Sequence, residues 1–128
     1  MNIGEVSKAS GVTSKMIRHY EELGIIPKAS RSLSGYRTYS EKDIHILKFV
    51  KRARTLGFGM KEIKQLVNLW RNKSRSSADV KRLTMKHINE LETKIFELKT
   101  MVDSLKALSH NCHGDGRPDC PILEDLAH

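Results

Sequence analysis

A mainly α-helical chain is the fold class that this 128-residue sequence predicts. It should comprise a winged helix-turn-helix, a long dimerisation helix, and a C-terminal loop with a short helix. Three observations carry the expectation. Two short amphipathic segments flank a glycine near the start, one heptad seam runs from Ile88 to Leu105, and the basic charge sits in one half of the chain. Residues 1–75 hold 16 Lys and Arg against 6 Asp and Glu, a net +10, whereas residues 76–128 hold 7 against 9, a net −2. A basic part joined to a near-neutral part suggests nucleic-acid binding coupled to separate control or assembly. A merely solvated basic surface is the competing reading of the charge.

The first two helices come from "NIGEVSKASGVTSKMIRHYEELGII". Ile3, Val6 and Ala9 mark one apolar face, Gly11 interrupts it, and Thr13 is a suitable N-cap for a second helix carrying Met16, Ile17, Tyr20 and Leu23. Gly24 closes that helix, because a residue just past a helix end often needs the left-handed region. Two short helices around such a turn form a helix-turn-helix, whose second helix can enter the major groove.

In "PKASRSLSGYRTYS", residues 27–40, Ser34-Gly35 marks the tip of a small hairpin and "YRTY" its returning strand. Tyr36 and Thr38 should share one face, Arg37 and Tyr39 the other. A basic hairpin directly after a helix-turn-helix is a wing, and Arg31, Tyr36 and Arg37 are placed to reach phosphates. Ser40, with Glu41 and Asp43 behind it, then starts a helix carrying Ile44, Ile46, Leu47, Val50, Ala53 and Leu56 to Gly57. A shorter helix follows with Met60, Ile63, Leu66, Val67 and Trp70, and Phe58 and Trp70 are assigned to packing.

After the polar connector at residues 71–77, the apolar positions Ile88, Leu91, Ile95, Leu98, Val102 and Leu105 advance by alternating steps of three and four. A helix over some thirty residues, to about Ser109, is ~45 Å long at ~1.5 Å per residue. So small a chain cannot cover that stripe itself, so the helix should pair with its copy in a second subunit. The expected organisation is a DNA-binding part with connector helices at 1–75, a dimerisation helix at 76–109, and a metal-binding loop with a short helix at 110–128.

Both cysteines lie in "CHGDGRPDC", residues 112–120, a stretch too rich in glycine and proline for a helix face. No apolar run approaches the ~20 residues that cross a bilayer, and the first residues do not form a signal peptide, so the cytoplasm is the expected compartment. Thiols stay reduced there, and a cysteine pair is then more often metal-binding or redox-active than structural. Pro121 suits the first position of a short helix packed down by Ile122, Leu123 and Leu126. Cys120 thus stands at a helix start, where backbone N–H groups should lower its pKa below ~8.5. Two thiolates are soft ligands for Cu(I) and other soft monovalent ions. A zinc site recruiting His110 or His113, a disulfide, and two inert cysteines are the other readings. No nucleophile–base set or acid–base carboxylate pair stands out, so an enzyme is not expected.

"IGEVSKASGVTSKMIRHYEELGII…RSLSGYRTYSEKDI" resembles the amino-terminal signature of the MerR family of transcription regulators. The likeness runs through the long helix and the two-cysteine loop, nearest to the copper-responsive branch. His19 stands where an aromatic ring is usual in that family. The resemblance implies a homodimer on double-stranded promoter DNA, its long helices paired as an antiparallel coiled coil, with Lys15, Arg18 and Tyr20 as recognition-helix contacts and Arg31, Tyr36 and Arg37 as wing contacts. It implies Cys112 and Cys120 as the ligands of Cu(I), or of Ag(I) or Au(I). Ser77 falls where sensors of divalent ions in the family carry a third cysteine, which would select a two-coordinate, monovalent site. It also implies that metal-free and metal-bound forms both bind DNA, and that metal changes promoter bending and twist so that RNA polymerase can engage. A redox-sensing regulator and a metal-buffering protein are the rivals from other classes.

Overall fold

In the computed structural model, which describes residues 1–128, eight elements follow one another along the chain. They are α1 (Ile3–Ser10), α2 (Ser14–Glu22), β1 (Ser30–Arg31), β2 (Arg37–Thr38), α3 (Glu41–Thr55), α4 (Met60–Arg71), α5 (Ser77–Asn111) and α6 (Pro121–Ala127). The chain divides into two compact units, Met1–Leu83 and Thr84–His128, with the boundary inside α5. No helix is long and apolar enough to cross a membrane.

Side chains fix the starts of α1, α2 and α3, whereas α4 begins at Gly59 without a side-chain cap. Asn2 accepts the Glu5 N–H at 2.8 Å while the Glu5 carboxylate accepts the Asn2 N–H at 3.3 Å, a reciprocal cap on α1. Thr13 accepts the Met16 N–H at 3.2 Å and starts α2. Ser40 and Asp43 cap α3 in the same reciprocal way as α1. Between α1 and α2, Gly11 adopts φ 76° and sends its N–H back to the Ser7 carbonyl. A Cβ at this position would stand 2.5 Å from the Lys51 ammonium nitrogen. The positive φ is what requires glycine in this turn, since the flexible Lys51 side chain could swing aside from a Cβ.

The core of the first unit gathers Val6, Ile17, Ile25, Ile26, Leu47, Val50, Ile63 and Val67 as fully buried side chains, with Tyr20 and Tyr39 among them. Each such aliphatic burial contributes about 1.5–3 kcal/mol before conformational entropy is counted. α1 packs on α2 and α3, and α3 packs on α4. Several expected core positions are not buried, Leu56 among them, which caps the end of α3 at 49% exposure. Ala9 is exposed and Ser10 is buried in its stead, its hydroxyl accepting the Val12 N–H at 3.2 Å. Leu23 caps α2 and is exposed, while Ile25 and Ile26, just beyond Gly24, fill the core. Trp70 keeps its packing role by stacking on Phe49, ring centroids 4.7 Å apart.

In the second unit, α5 supplies the apolar seam and α6 follows the cysteine loop. α5 has 35 residues, about 52 Å of helix, and none of them is buried. Leu91 is 36% exposed and Ile95 64%. The helix ends at Asn111, two residues beyond the expected end, so His110 is helical and the loop begins at Cys112.

Candidate nucleic-acid interface and thiol loop

The interface of the first unit is built from α2 and the β1–β2 hairpin. Ile17 and Tyr20 turn one side of α2 into the core, and this leaves Lys15, Arg18, His19 and Glu22 around a shallow surface depression on the other side. Tyr20 is only 4% exposed, so its expected contact with DNA is corrected to a core role. Residues two apart on a helix point to nearly opposite sides, so Arg18 and Tyr20 cannot both face a groove. His19 was not among the expected contacts. It stands four residues after Lys15 on the exposed face, a relation the i, i+4 rule makes readable from sequence.

The hairpin is short and antiparallel, pairing Ser30 with Thr38 and Arg31 with Arg37. Its turn is closed by the Gly35 N–H to the Ser32 carbonyl at 2.9 Å and by the Ser32 N–H to the Tyr36 carbonyl at 2.8 Å. Gly35 supplies φ 84° at the tip. Arg31 reaches across the turn to donate to the Gly35 carbonyl at 2.9 Å. Two arginines directly opposite one another on an exposed ladder repel. An anion between them reverses the sign of that interaction, and a phosphate suits it through charge and fork geometry. Arg18, Arg31, Tyr36 and Arg37 line one cleft of about 750 Å³, with Asn2 and Glu5 of the α1 cap at its edge. Arg18 borders both this cleft and the exposed face of α2, so the helix and the wing present a continuous basic surface. Tyr36 is 75% exposed, free to lie against a sugar-phosphate backbone. Arg37→Ala should weaken binding to every duplex alike and flatten the salt dependence by about one unit of slope. Arg18→Ala, by contrast, should cost about 1–3 kcal/mol more on a specific site than on random DNA, if the side chain reads a base. Fluorescence anisotropy over a salt series separates the two behaviours.

The thiol loop lies in the second unit. Cys112 and Cys120 are free, both half-buried, with their sulfurs 3.8 Å apart. The intervening chain is pinned by Arg117, whose guanidinium and backbone N–H both donate to the Asp115 carboxylate at about 3 Å. That pairing holds the Asp115 carboxyl below its ordinary range. Gly114, at φ 66°, turns the chain just before it. At the start of α6 the backbone N–H of Leu123, with that of Ile122 and the Cys112 thiol, lowers the Cys120 pKa against the opposing effect of burial. The expectation of a depressed Cys120 pKa therefore holds in direction, with the Leu123 amide as its largest cause.

Two sulfurs 3.8 Å apart match an edge of a tetrahedral thiolate site with metal–sulfur bonds of ~2.3 Å, whereas a linear site with such bonds needs ~4.6 Å. Linear coordination thus requires the loop to open by under 1 Å, a change its glycines permit. No group of three or more His, Cys, Asp or Glu side chains gathers anywhere in the chain. His110 and His113 are both exposed and do not join the cysteines in such a group. Ser77 is exposed at the first position of α5, behind the Ser76 hydroxyl that accepts the Ala78 N–H at 3.1 Å.

Residues 1–69 match the family described as "MerR HTH family regulatory protein", and residues 44–108 match "MerR, DNA binding". The transcriptional regulator HmrR of Sinorhizobium medicae is 57% identical over 127 residues, covering 99% of this chain and 86% of that protein. The regulator CueR of Salmonella typhimurium is 46% identical over 127 residues, covering 99% and 92%. Among solved structures, the transcription regulator PbrR691 of Ralstonia metallidurans in complex with lead(II) superposes with a TM-score of 0.88 at 32% identity, covering 98% of each chain.

Proposed function

Since the chain belongs to the MerR family of helix-turn-helix transcription regulators, we propose that it is an activator that senses Cu(I), or a similar soft monovalent ion such as Ag(I) or Au(I). It is a metal-responsive regulator of that family, whose members bind promoter DNA and act as dimers and are not enzymes. The observation that carries the monovalent reading is the donor set: two half-buried thiols and no third ligand gathered beside them. Two thiolates and a monovalent ion leave one negative charge, which the backbone N–H groups of Leu123 and Ile122 help to offset. A divalent ion would be better matched by more donors than this loop supplies.

In this reading α2 enters the major groove with Lys15, Arg18 and His19 toward the bases, while Arg31, Tyr36 and Arg37 hold the backbone. The protein works as a homodimer joined along α5, in the cytoplasm, on double-stranded promoter DNA. Cys112 and Cys120 would hold the ion through their two thiolates, which supply soft donors. That order restricts a glycine-containing loop, and the difference in order between the two states shifts the dimer toward a form that bends and untwists the promoter for RNA polymerase. X-ray absorption on protein loaded with Cu(I) under reducing conditions tests the site. Two sulfur scatterers without an imidazole shell are expected, and a four-coordinate shell containing histidine would instead support the zinc reading.

Ser77 stands at the far end of α5 from the thiol loop of its own chain. It is therefore proposed as a determinant of selectivity through the antiparallel dimer, in which the partner subunit's Ser77 would approach that loop. Ser77→Cys should raise Zn(II) affinity, because a third thiolate lowers the charge cost of a divalent ion. Competition titration against a chromophoric chelator reads the change, and an unaltered Zn(II) affinity would remove Ser77 from the site.

A further inference from the structure

Glu21 lies on α2, three residues after Arg18, and its carboxylate meets the hairpin at both ends. Oε1 accepts from the Tyr39 hydroxyl, and Oε2 accepts the Ala29 N–H at 3.3 Å. Ala29 immediately precedes β1 and Tyr39 immediately follows β2. Tyr39 is itself anchored: its ring belongs to the core, and its N–H donates to the Met1 carbonyl at 2.7 Å. Burial foremost, and then the bond to Glu21, push the phenol up to about 12, with Arg37 and Arg18 opposing, so the hydroxyl stays a donor at any physiological pH.

An acid beside a phosphate-binding cleft weakens attraction for DNA, so its position needs a compensating role. The hairpin supplies one. Two residues per strand do not make an independently stable ladder, and the facing Arg31 and Arg37 strain it further. Something outside the hairpin must set its angle against the helix. We propose that Glu21 is a positioning residue for DNA binding, clamping both ends of the wing to the recognition helix so that Arg31 and Arg37 meet phosphates in register with Arg18. This rests on reading those arginines as phosphate contacts.

The test is a mutant cycle in the full-length protein, titrated by fluorescence anisotropy into a mixed-sequence duplex over a salt series. Glu21→Ala should lower the salt slope by about two, since both wing arginines lose their phosphates. Arg37→Ala should flatten the slope by about one in the wild type and leave it unchanged in the Glu21→Ala background. Lys15→Ala, on the helix and away from the wing, should weaken binding by the same factor in both backgrounds. Glu21→Gln retains an oxygen for the Tyr39 hydroxyl and should restore part of the lost slope. Should Glu21→Ala lose its cooperative thermal transition, Tyr39→Phe replaces it in the cycle. It releases only the β2 end of the clamp, so the salt slope should fall by about one and Arg37→Ala should lose its effect in that background. Equal effects of Arg37→Ala with and without the clamp would overturn the proposal while leaving the phosphate reading intact. No effect of Arg37→Ala in the wild type would refute the phosphate reading itself, and the clamp with it.

Discussion

Cys112→Ser or Cys120→Ser, each alone, is expected to reduce the transcriptional response to Cu(I) to background while leaving affinity for promoter DNA unchanged. A hydroxyl is a hard donor that stays protonated near neutrality, so either change leaves a single soft ligand. Losing a ligand outright should exceed the ~10–100-fold cost of disturbing a ligand's supporting partner. DNA affinity should persist because the basic contacts of α2 and the wing are built by their own caps and core in the first unit. In vitro transcription with and without Cu(I), run beside an anisotropy titration, measures both quantities. A full response in both serine variants would leave the loop without a sensing role, and a response surviving in the serine forms only under oxidant would favour neither thiol chemistry considered above. His110→Ala and His113→Ala should keep the response, since both side chains are exposed and gather with no other ligand.

Leu91→Asp with Leu98→Asp should convert the dimer to monomers. Both side chains lie on the α5 seam, exposed in the single chain at 36% and 59%. A seam of this kind is stable only against a partner helix. An uncompensated carboxylate placed in an apolar interface costs on the order of 3–5 kcal/mol. By two-fold symmetry each change enters the interface twice, so the combined loss exceeds what most dimers of this size can bear. Sedimentation equilibrium reads the result directly. A double variant that still sediments as a dimer would move the interface off this seam.

The helices were legible in the sequence because their signals are local. Asn2, Thr13 and Ser40 cap within three residues, and Gly11 and Gly24 mark the ends where the chain must turn. The seam of α5 was legible for the same reason, since periodicity repeats along one element. Faces were harder. Tyr20 was placed on DNA through its neighbourhood to Arg18, although residues two apart on a helix stand on nearly opposite sides, and its burial beside Ile17 follows from the spacing of three. Ala9 yielded to Ser10 because a buried hydroxyl found a backbone donor in the turn, which no apolar count registers. Glu21 was not legible at all. In "EELG" it reads as a solvated helix residue, and its partners Ala29 and Tyr39 lie eight and eighteen residues away, joined only by the folded wing. The cysteine pair was legible as chemistry, but its 3.8 Å separation depends on the Asp115–Arg117 clasp and on the start of α6.

That clasp has a kinetic meaning. Seven residues separate the thiols, and the exposed Asp115–Arg117 pair, two residues apart, restrains one turn of that short tether. If Cys112 and Cys120 hold the ion as proposed, the second thiol would act from within the same loop at an effective concentration of millimolar or more. Release would then require both sulfurs to let go at once, so a sensor of this kind would be reset by competing thiols rather than by simple dissociation.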